Sequence, residues 1–395
     1  MILASVPRIM LRQAQHDIDV FNRCKFLVFC KYQLMKIINI LFNYKKSKND
    51  NHILGVERCF IDYAKYLILQ GNELVSVSKT KMVFRDDVIK TGSRYLELPA
   101  FGQADIFSIL RLAFLFFTFP ADVIICHSGR AMFFARAARF LAFKKTPIIA
   151  IDHGVNPTKF LKADYVLTVN SHFSKELVKA GKSPDRALVI PNMIEVPKDF
   201  SQLEKQPFRK PIKLGSLGRI YPEKNFDMVL RAMKILRDRG IESEYVIGGV
   251  GIVEQALIDL AKELNLEKNF KILGWTSEKR NFFDSIDIFI LPSWGETFGI
   301  VLLEAMLYST PIITSNSWGP EDIIEQGVDG IKVPKDDAKA MPELIANEIE
   351  RFINDENFAK ELARKAQGKF FKNYSAEMVG KKLNDICEMV AKKKF

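Results

Sequence analysis

Two glutamates frame the segment "GETFGIVLLEAM" (295–306). Glu296 and Glu304 stand eight residues apart, directly after the apolar run "IFILPSW". The pattern predicts a buried strand, a loop loosened by Gly295 and Gly299, and a helix that starts near Thr297. Eight residues along one helix span about 12 Å. The free amides at a helix start favour an anion. An acid, an anion seat and a second acid in a row match a nucleotide sugar, whose sugar and ribose hydroxyls donate to carboxylates on either side of a diphosphate. Two glutamates at this distance also occur on ordinary helices, so the spacing gains weight only from what surrounds it.

The second cluster is "GSLGRIYPEKNFDMVLRAM" (215–233). A strand ends at Leu217, Gly218 lets the chain turn, and Arg219 and Lys224 follow near the start of the next helix. Two cations at the carboxyl end of a strand make a clamp for phosphate oxygens; the plainer alternative is a solvated pair with Glu223. A third feature, "YVIGGVGIVEQAL" (245–257), places Gly248, Gly249 and Gly251 between a strand and a helix, where they could cradle a phosphate. "ILGW" (272–275), with Gly274, ends another strand and could edge a base pocket. The glycines do not form GxGxxG with a later acidic partner, which argues against a dinucleotide dehydrogenase. In the first half, "NDNHILGVERCF" (49–60) offers Gly55 for close backbone approach. "VIICHSGRAMF" and "IIAIDHGVN" set His127 and His153 after successive strands, both predicted to face the same cleft. His16, His52 and His172 have no comparable context. No G-x-S-x-G elbow, Walker loop or HExxH is present, and no acid pair suggests a metal.

Short apolar runs alternate with amphipathic stretches along the chain, which predicts parallel sheets covered by helices. Strands are expected at 36–42, 74–78, 122–126, 147–151, 164–168 and 187–190. After a break they are expected again at 212–217, 244–248, 270–273, 287–291 and 311–314. Helices are expected over 56–70, 130–143, 224–239, 252–265, 298–308 and 319–326. The segment 191–211 holds four prolines and reads as a linker. The division is then a loosely attached extension over 1–34, a first Rossmann-like domain over 35–190, the linker, a second Rossmann-like domain over 212–375, and a terminal helix over 376–395 able to cross back. Two doubly wound α/β domains would face each other across a cleft, with ligands at the carboxyl ends of their strands.

The charge is lopsided. Residues 1–200 carry 29 Lys and Arg against 17 Asp and Glu, a net +12, whereas 201–395 carry 29 against 30. A basic half suits nucleic acid, anionic lipid or an acidic substrate, and no nucleic-acid recognition motif accompanies it. The aromatic stretch "FSILRLAFLFFTFP" (107–120) is too short to span a bilayer and carries Arg111. Five cysteines without CxxC or zinc spacing fit free thiols in a reducing cytoplasm.

Taken together, "GSLGRIYPEKNFDMVLRAM", "GGVG", "LPSWGETFGIVLLEAM" and "PIITSNSWGPEDIIEQGVDGIKVP" resemble the GT-B-fold glycosyltransferases, specifically the family 4-type retaining enzymes, over roughly residues 35–375. The resemblance implies transfer from a nucleotide sugar without a metal. It implies that Arg219 and Lys224 hold the diphosphate, that Glu296 meets the donor sugar and Glu304 the ribose, and that Gly299 and Ile300 offer backbone amides. It places His127 near the sugar, with His153 as a further cleft residue, and Gly55 in the loop above the phosphates. The family pairs two glycines there; this chain has Leu54-Gly55. The acceptor is expected on the first domain, as a lipid-linked, lipopolysaccharide- or capsule-type glycan at an anionic membrane surface. A non-catalytic nucleotide-sugar binder, or a GT-B epimerase or phosphorylase, would keep the same motifs.

Overall fold

The computed structural model describes residues 34–42, 55–102, 105–154, 156–201 and 207–393. The extension expected over 1–34 lies outside them apart from Leu34. The start of the 49–60 loop and residues 202–206 of the expected linker also lie outside.

Two parallel sheets form the molecule. The first contains β1 (Lys36–Leu41), β2 (Glu73–Lys79), β3 (Arg94–Leu98), β4 (Val123–Cys126), β5 (Ile148–Asp152), β6 (Tyr165–Thr168) and β7 (Ala187–Val189), in the order β3-β2-β1-β4-β5-β6-β7. The second contains β8 (Ile212–Leu217), β9 (Ser243–Gly248), β10 (Phe270–Gly274), β11 (Ile288–Leu291), β12 (Ile312–Ser315) and β13 (Ile331–Val333), in the order β10-β9-β8-β11-β12-β13. Runs such as "VIIC" and "IFIL" are buried at every position, as strands covered on both faces must be. The order reverses between β1 and β4, and again between β8 and β11, so each sheet opens a crevice there at its carboxyl edge.

The helices of the first lobe are α1 (Gly55–Leu69), α2 (Arg85–Lys90), α3 (Ile106–Thr118), α4 (Gly129–Leu141) and α5 (Ser171–Lys179). Those that follow are α6 (Phe226–Asp238), α7 (Glu254–Glu263), α8 (Lys279–Ser285), α9 (Ile300–Leu307), α10 (Trp318–Ile323), α11 (Met341–Asn354), α12 (Glu356–Asn373) and α13 (Ala376–Lys392). Helices α3 and α4 cover one face of the first sheet, with Leu112, Phe116, Phe134 and Ala138 in its core. On the other face α1 is joined by α13, which returns from the second lobe. Val379, Leu383 and Cys387 pack with Ile37, Tyr63 and Leu67, and each fully buried aliphatic side chain contributes about 1.5–3 kcal/mol. Asn384 accepts a bond from Asn72 Nδ2 at 2.7 Å, fixing the register of the returning helix.

Two strands escaped the sequence reading. β3 ("RYLEL") and β13 ("IKV") are edge strands, partly exposed or very short, and neither makes the continuous apolar run that marks an interior parallel strand. Cys59, Cys126 and Cys387 are free thiols.

Candidate active site between the lobes

A cavity of about 450 Å³ opens between the carboxyl edges of the two sheets. From the second lobe it is lined by Gly218, Arg219, Lys224, Glu296, Gly299 and Ile300; from the first, by Gly55, Glu57, His153 and Asn192. Its size suits a small organic ligand. It lies at the switch point of the second sheet, where Gly218 and Arg219 follow β8 and Glu296 follows β11, and opposite the start of α1 in the first lobe.

The second lobe supplies charge. Lys224 ends a single 3₁₀ turn (Pro222–Lys224), and Nζ pairs with Glu296 Oε2. Only 14% and 13% of the two side chains is exposed. The alternative pairing of Lys224 with Glu223 is not the one formed. Glu223 instead lies 3.9 Å from Arg219, whose guanidinium is 70% exposed and sits 5.0 Å over the Tyr221 ring. One cation is thus held by the acid and the other stands open.

The helix after Glu296 begins at Ile300, not near Thr297. Gly299 precedes it in the left-handed region (φ +89°), a conformation that favours glycine. Glu296 is therefore in the loop, and a continuous helical ruler does not connect it to Glu304. Glu304 lies in α9 outside the cavity lining, its side chain 3.6 Å from Lys279. Burial raises the Glu304 pKa, and Lys279 opposes that rise.

Gly249 and Gly274 also lie outside the lining. Gly249 donates to the Gly274 carbonyl at 2.7 Å. A Cβ on Gly249 would stand 1.8 Å from the Gly218 carbonyl oxygen, and one on Gly251 would stand 2.1 Å from that of Ile220. These glycines let the turn after β9 press against the turn that carries Arg219. They buttress the cavity wall from behind.

The two histidines part company. His153 lines the cavity, whereas His127 is buried behind it, 2% exposed, with the rings stacked at 5.6 Å. The expectation that both face the cleft is corrected: strand β4 ends deeper, and Phe60 and Tyr63 of α1 pack edge-on against the His127 ring. Asn39 Nδ2 donates to the Phe60 carbonyl at 3.1 Å, which leaves its Oδ1 to accept from His127 Nε2 at 2.8 Å. His127 is thus the Nε2–H tautomer, and Nδ1 has no hydrogen-bond partner among the described residues. Burial holds His127 well below the ordinary imidazole pKa and pushes His153 down to about 4. Both are neutral near pH 7.

Cys59, His127 and His153 bring donor atoms within 4.8 Å of one another, the group among the described residues best placed to hold a metal. It is a nitrogen and sulfur set, unlike the oxygen ligands of a Mg²⁺ that bridges phosphates, and burial raises the Cys59 thiol out of the thiolate range. A further cavity of about 350 Å³ includes Arg209, Arg280, Asp284 and Asp287 in its lining, at the opposite end of the second sheet. Its charges are paired, Arg209 with Asp287 and Arg280 with Asp284 inside the lining and Lys360 with Glu356 beside it.

The lobes touch beside the site. Asn170 Nδ2 donates to the Thr297 carbonyl, next to Glu296, and Ser171 donates to Asp322 from both its amide and its hydroxyl. His172 stacks on Trp318 at 5.0 Å. Sequence reasoning missed these contacts and also Glu57, a buried acid in the first turn of α1, two residues after Gly55. A first-turn acid is so common at helix starts that it carries no signal of its own.

Two family models match the chain, "Glycosyltransferase Family 4" over residues 53–197 and "Glycosyl transferases group 1" over residues 198–369. The amylovoran biosynthesis glycosyltransferase AmsK of Erwinia amylovora is 25% identical over 295 residues, 69% of this chain and 71% of its own length. Among solved structures, a glycosyltransferase of Rickettsia africae superposes with a TM-score of 0.74 at 19% identity, over 92% of this chain and all of that one. HepE of Anabaena, solved in complex with UDP, superposes with a TM-score of 0.71 at 20% identity, over 90% of this chain and all of that one. With both lobes matched in sequence and the same two-sheet architecture in those neighbours, the chain belongs to the GT-B-fold glycosyltransferases of the family 4 type.

Proposed function

We propose that the chain moves a sugar from a nucleotide-sugar donor, with retention at the anomeric carbon, onto a lipid-linked glycan of the lipopolysaccharide or capsule type at the cytoplasmic side of the membrane. The lobe over 212–375 holds the donor, and the lobe over 35–190 meets the acceptor. The observation that carries this reading is the convergence of Arg219, Lys224, Glu296 and the start of α9 on one cavity whose far wall is Gly55 and His153. The surface-polysaccharide role named for AmsK and the UDP bound by HepE support the acceptor class and the donor class respectively.

The chemistry follows from the charges. An entering diphosphate competes with Glu296 for Lys224 and meets the open Arg219. Glu296, once released, accepts hydrogen bonds from sugar hydroxyls, while the nucleoside runs beyond the cavity lining toward Glu304, which serves the ribose beside Lys279. As the anomeric C–O bond breaks, its electron pair goes to the diphosphate. The acceptor oxygen bonds to the same face of the sugar, and its proton passes to the departing phosphate oxygen. Arg219, Lys224 and the amides of Gly299 and Ile300 bind that developing charge more strongly in the transition state than in the ground state. The side chains supply the counter-charge, so no divalent ion is required. The neutral sugar contact expected of His127 falls to His153, which lines the cavity.

A thermal-shift screen against a panel of nucleotide sugars tests the reading. A cognate donor at a hundredfold excess over its Kd adds about 2.7 kcal/mol of apparent stability, and Glu296→Gln shrinks the shift for the sugar nucleotide more than for the bare nucleotide. A panel without any shift would end the proposal.

A further inference from the structure

Helix α3 carries apolar side chains on two opposite faces, yet only one of them is covered. Ile109, Leu112, Ala113 and Phe116 point into the core of the first sheet. On the opposite side Phe107, Leu110, Phe114 and Phe117, spaced i, i+3, i+7 and i+10, line up along one face. Phe140 and Phe143 continue the surface at the end of α4. These six side chains are between 53% and 93% exposed. At about 150–250 Å² per aromatic side chain, they present on the order of 800 Å² of apolar surface, more than the few hundred Å² usual on a soluble monomer.

Cations are interleaved with this surface. Arg111 lies over the Phe107 ring at 5.9 Å, and Lys144 over the Phe117 ring at 5.6 Å. Arg136 and Lys145 stand beside Phe140. Neither α3 nor α4 contains an acid. The helix of 13 residues is about 20 Å long, too short to cross a hydrocarbon core of about 30 Å, and no described helix is long and apolar enough to do so. The surface also has a direction. The chain leaves the carboxyl end of β3 at Leu98, runs through α3, and re-enters the sheet at the start of β4. Phe107 is therefore near the cleft rim and Phe117 near the opposite edge.

We propose that this face of α3 and α4 seats the first lobe on an anionic lipid bilayer, with the aromatic rings at the headgroup boundary and the four cations on the lipid phosphates. Charge complementarity selects the occupant: a second copy of the chain would bring Arg111, Arg136, Lys144 and Lys145 against their own counterparts, whereas anionic lipid neutralises them. The inference rests on the proposed reading only in its purpose. It brings the cleft rim to the surface from which a lipid-linked acceptor emerges, and it leaves the second lobe, net −5 over residues 212–375, clear of the membrane.

Flotation of the full chain with vesicles of phosphatidylcholine alone, or of phosphatidylcholine and phosphatidylglycerol at about 7:3, tests the seat. The expected result is at least tenfold stronger partition to the anionic vesicles. Phe114→Glu with Phe117→Glu, both at exposed positions, should reduce it at least tenfold, and Lys144→Glu with Lys145→Glu at least fivefold with a weaker salt dependence. Unfolding midpoints and the nucleotide-sugar thermal shift should stay as in the parent chain. If the phenylalanine variant binds vesicles as the parent does, adsorption is by charge alone and the proposal is overturned. It is also overturned if the parent sediments as a dimer that this variant dissolves, without vesicle binding. A parent chain that binds vesicles but no nucleotide sugar would refute the transferase reading and leave the seat standing.

Discussion

The two sheets share one order over six strands, β7 being an extra edge strand on the first, and they carry opposite chemistry at the edges that face each other. At the β8 and β11 ends stand Arg219, Lys224 and Glu296, charged, with one cation paired and the other open to solvent. At the β4 and β5 ends stand His127 and His153, kept neutral by burial, with Nδ1 of one and Nε2 of the other lacking hydrogen-bond partners among the described residues. Two copies of one topology thus offer different recognition. The charged edge exchanges an internal ion pair for a diphosphate. His153, neutral and lining the cavity, can meet a hydroxyl without competing for the diphosphate's charge. The fold provides two equivalent crevices, and the side chains at the strand ends assign their work.

The sharpest way to break this contrast is to remove the cations one at a time. Arg219 is exposed and only loosely paired, so Arg219→Ala should leave stability within about 0.5 kcal/mol. It should lower turnover by about 10²–10³-fold, as loss of a preorganised group at the developing charge does. Lys224→Ala should lower turnover as much and also destabilise the fold by up to about 3 kcal/mol, because Glu296 is left largely buried without its cation. Initial rates of nucleotide release, with urea unfolding of the same variants, separate the two effects. Parental turnover in either variant would remove the charged edge from the mechanism.

A smaller effect distinguishes the loops behind the two edges. In the second lobe a methyl at Gly249 (φ +154°) meets the Gly218 carbonyl at 1.8 Å, and backbone cannot swing aside as a side chain can. Gly249→Ala should cost about 3 kcal/mol and lower turnover by displacing Arg219. In the first lobe a methyl at Gly55 meets nothing within 4 Å, so Gly55→Ala should stay within about 0.5 kcal/mol of the parent in urea unfolding. Equal stability of the two variants would mean that the glycines after β9 do not brace the cation turn.

Much of this was legible beforehand because interior parallel strands write themselves as apolar runs, and "KIINIL", "IIAID" and "IFILPS" could hardly be anything else. The chemistry at the ends of such strands could be located for the same reason, which is why Arg219, Lys224 and Glu296 were named together. Three things were not legible. Which histidine reaches the cavity depends on how deep β4 ends and on the Asn39 bond that turns the ring inward, both tertiary facts. The start of α9 shifted because a left-handed Gly299 adds a turn that periodicity does not reveal. And α3 is half core and half exposed aromatic surface; a helix apolar on two faces states that it will be covered, without saying by what.

The smallest predicted effect concerns the neutral edge itself. An imidazole whose folded pKa lies below its unfolded value of about 6.5 binds fewer protons in the native state than in the unfolded one. Stability then rises with pH and is lost on acidification, from about pH 6.5 down to the folded pKa, which for His153 is about 4. The slope approaches 1.4 kcal/mol per pH unit for each such histidine. The neighbouring Asp152 is raised by burial, with the Gly154 amide and Lys159 opposing, and so acts in the opposite sense: protonating it favours the folded chain. Cys59 stays protonated throughout, its thiol raised by burial. Burial also raises Glu304 and Asp62, which act as Asp152 does, so between pH 6.5 and 5 the difference in slope between variant and parent, not the parent's slope alone, reports the two histidines. His127→Gln and His153→Asn should each reduce that slope by up to one proton's worth, whatever they do to stability at pH 7, when urea unfolding is followed across the range. Slopes equal to the parent's would mean that the two imidazoles are charged or solvated, and the contrast between a charged and a neutral edge would not hold.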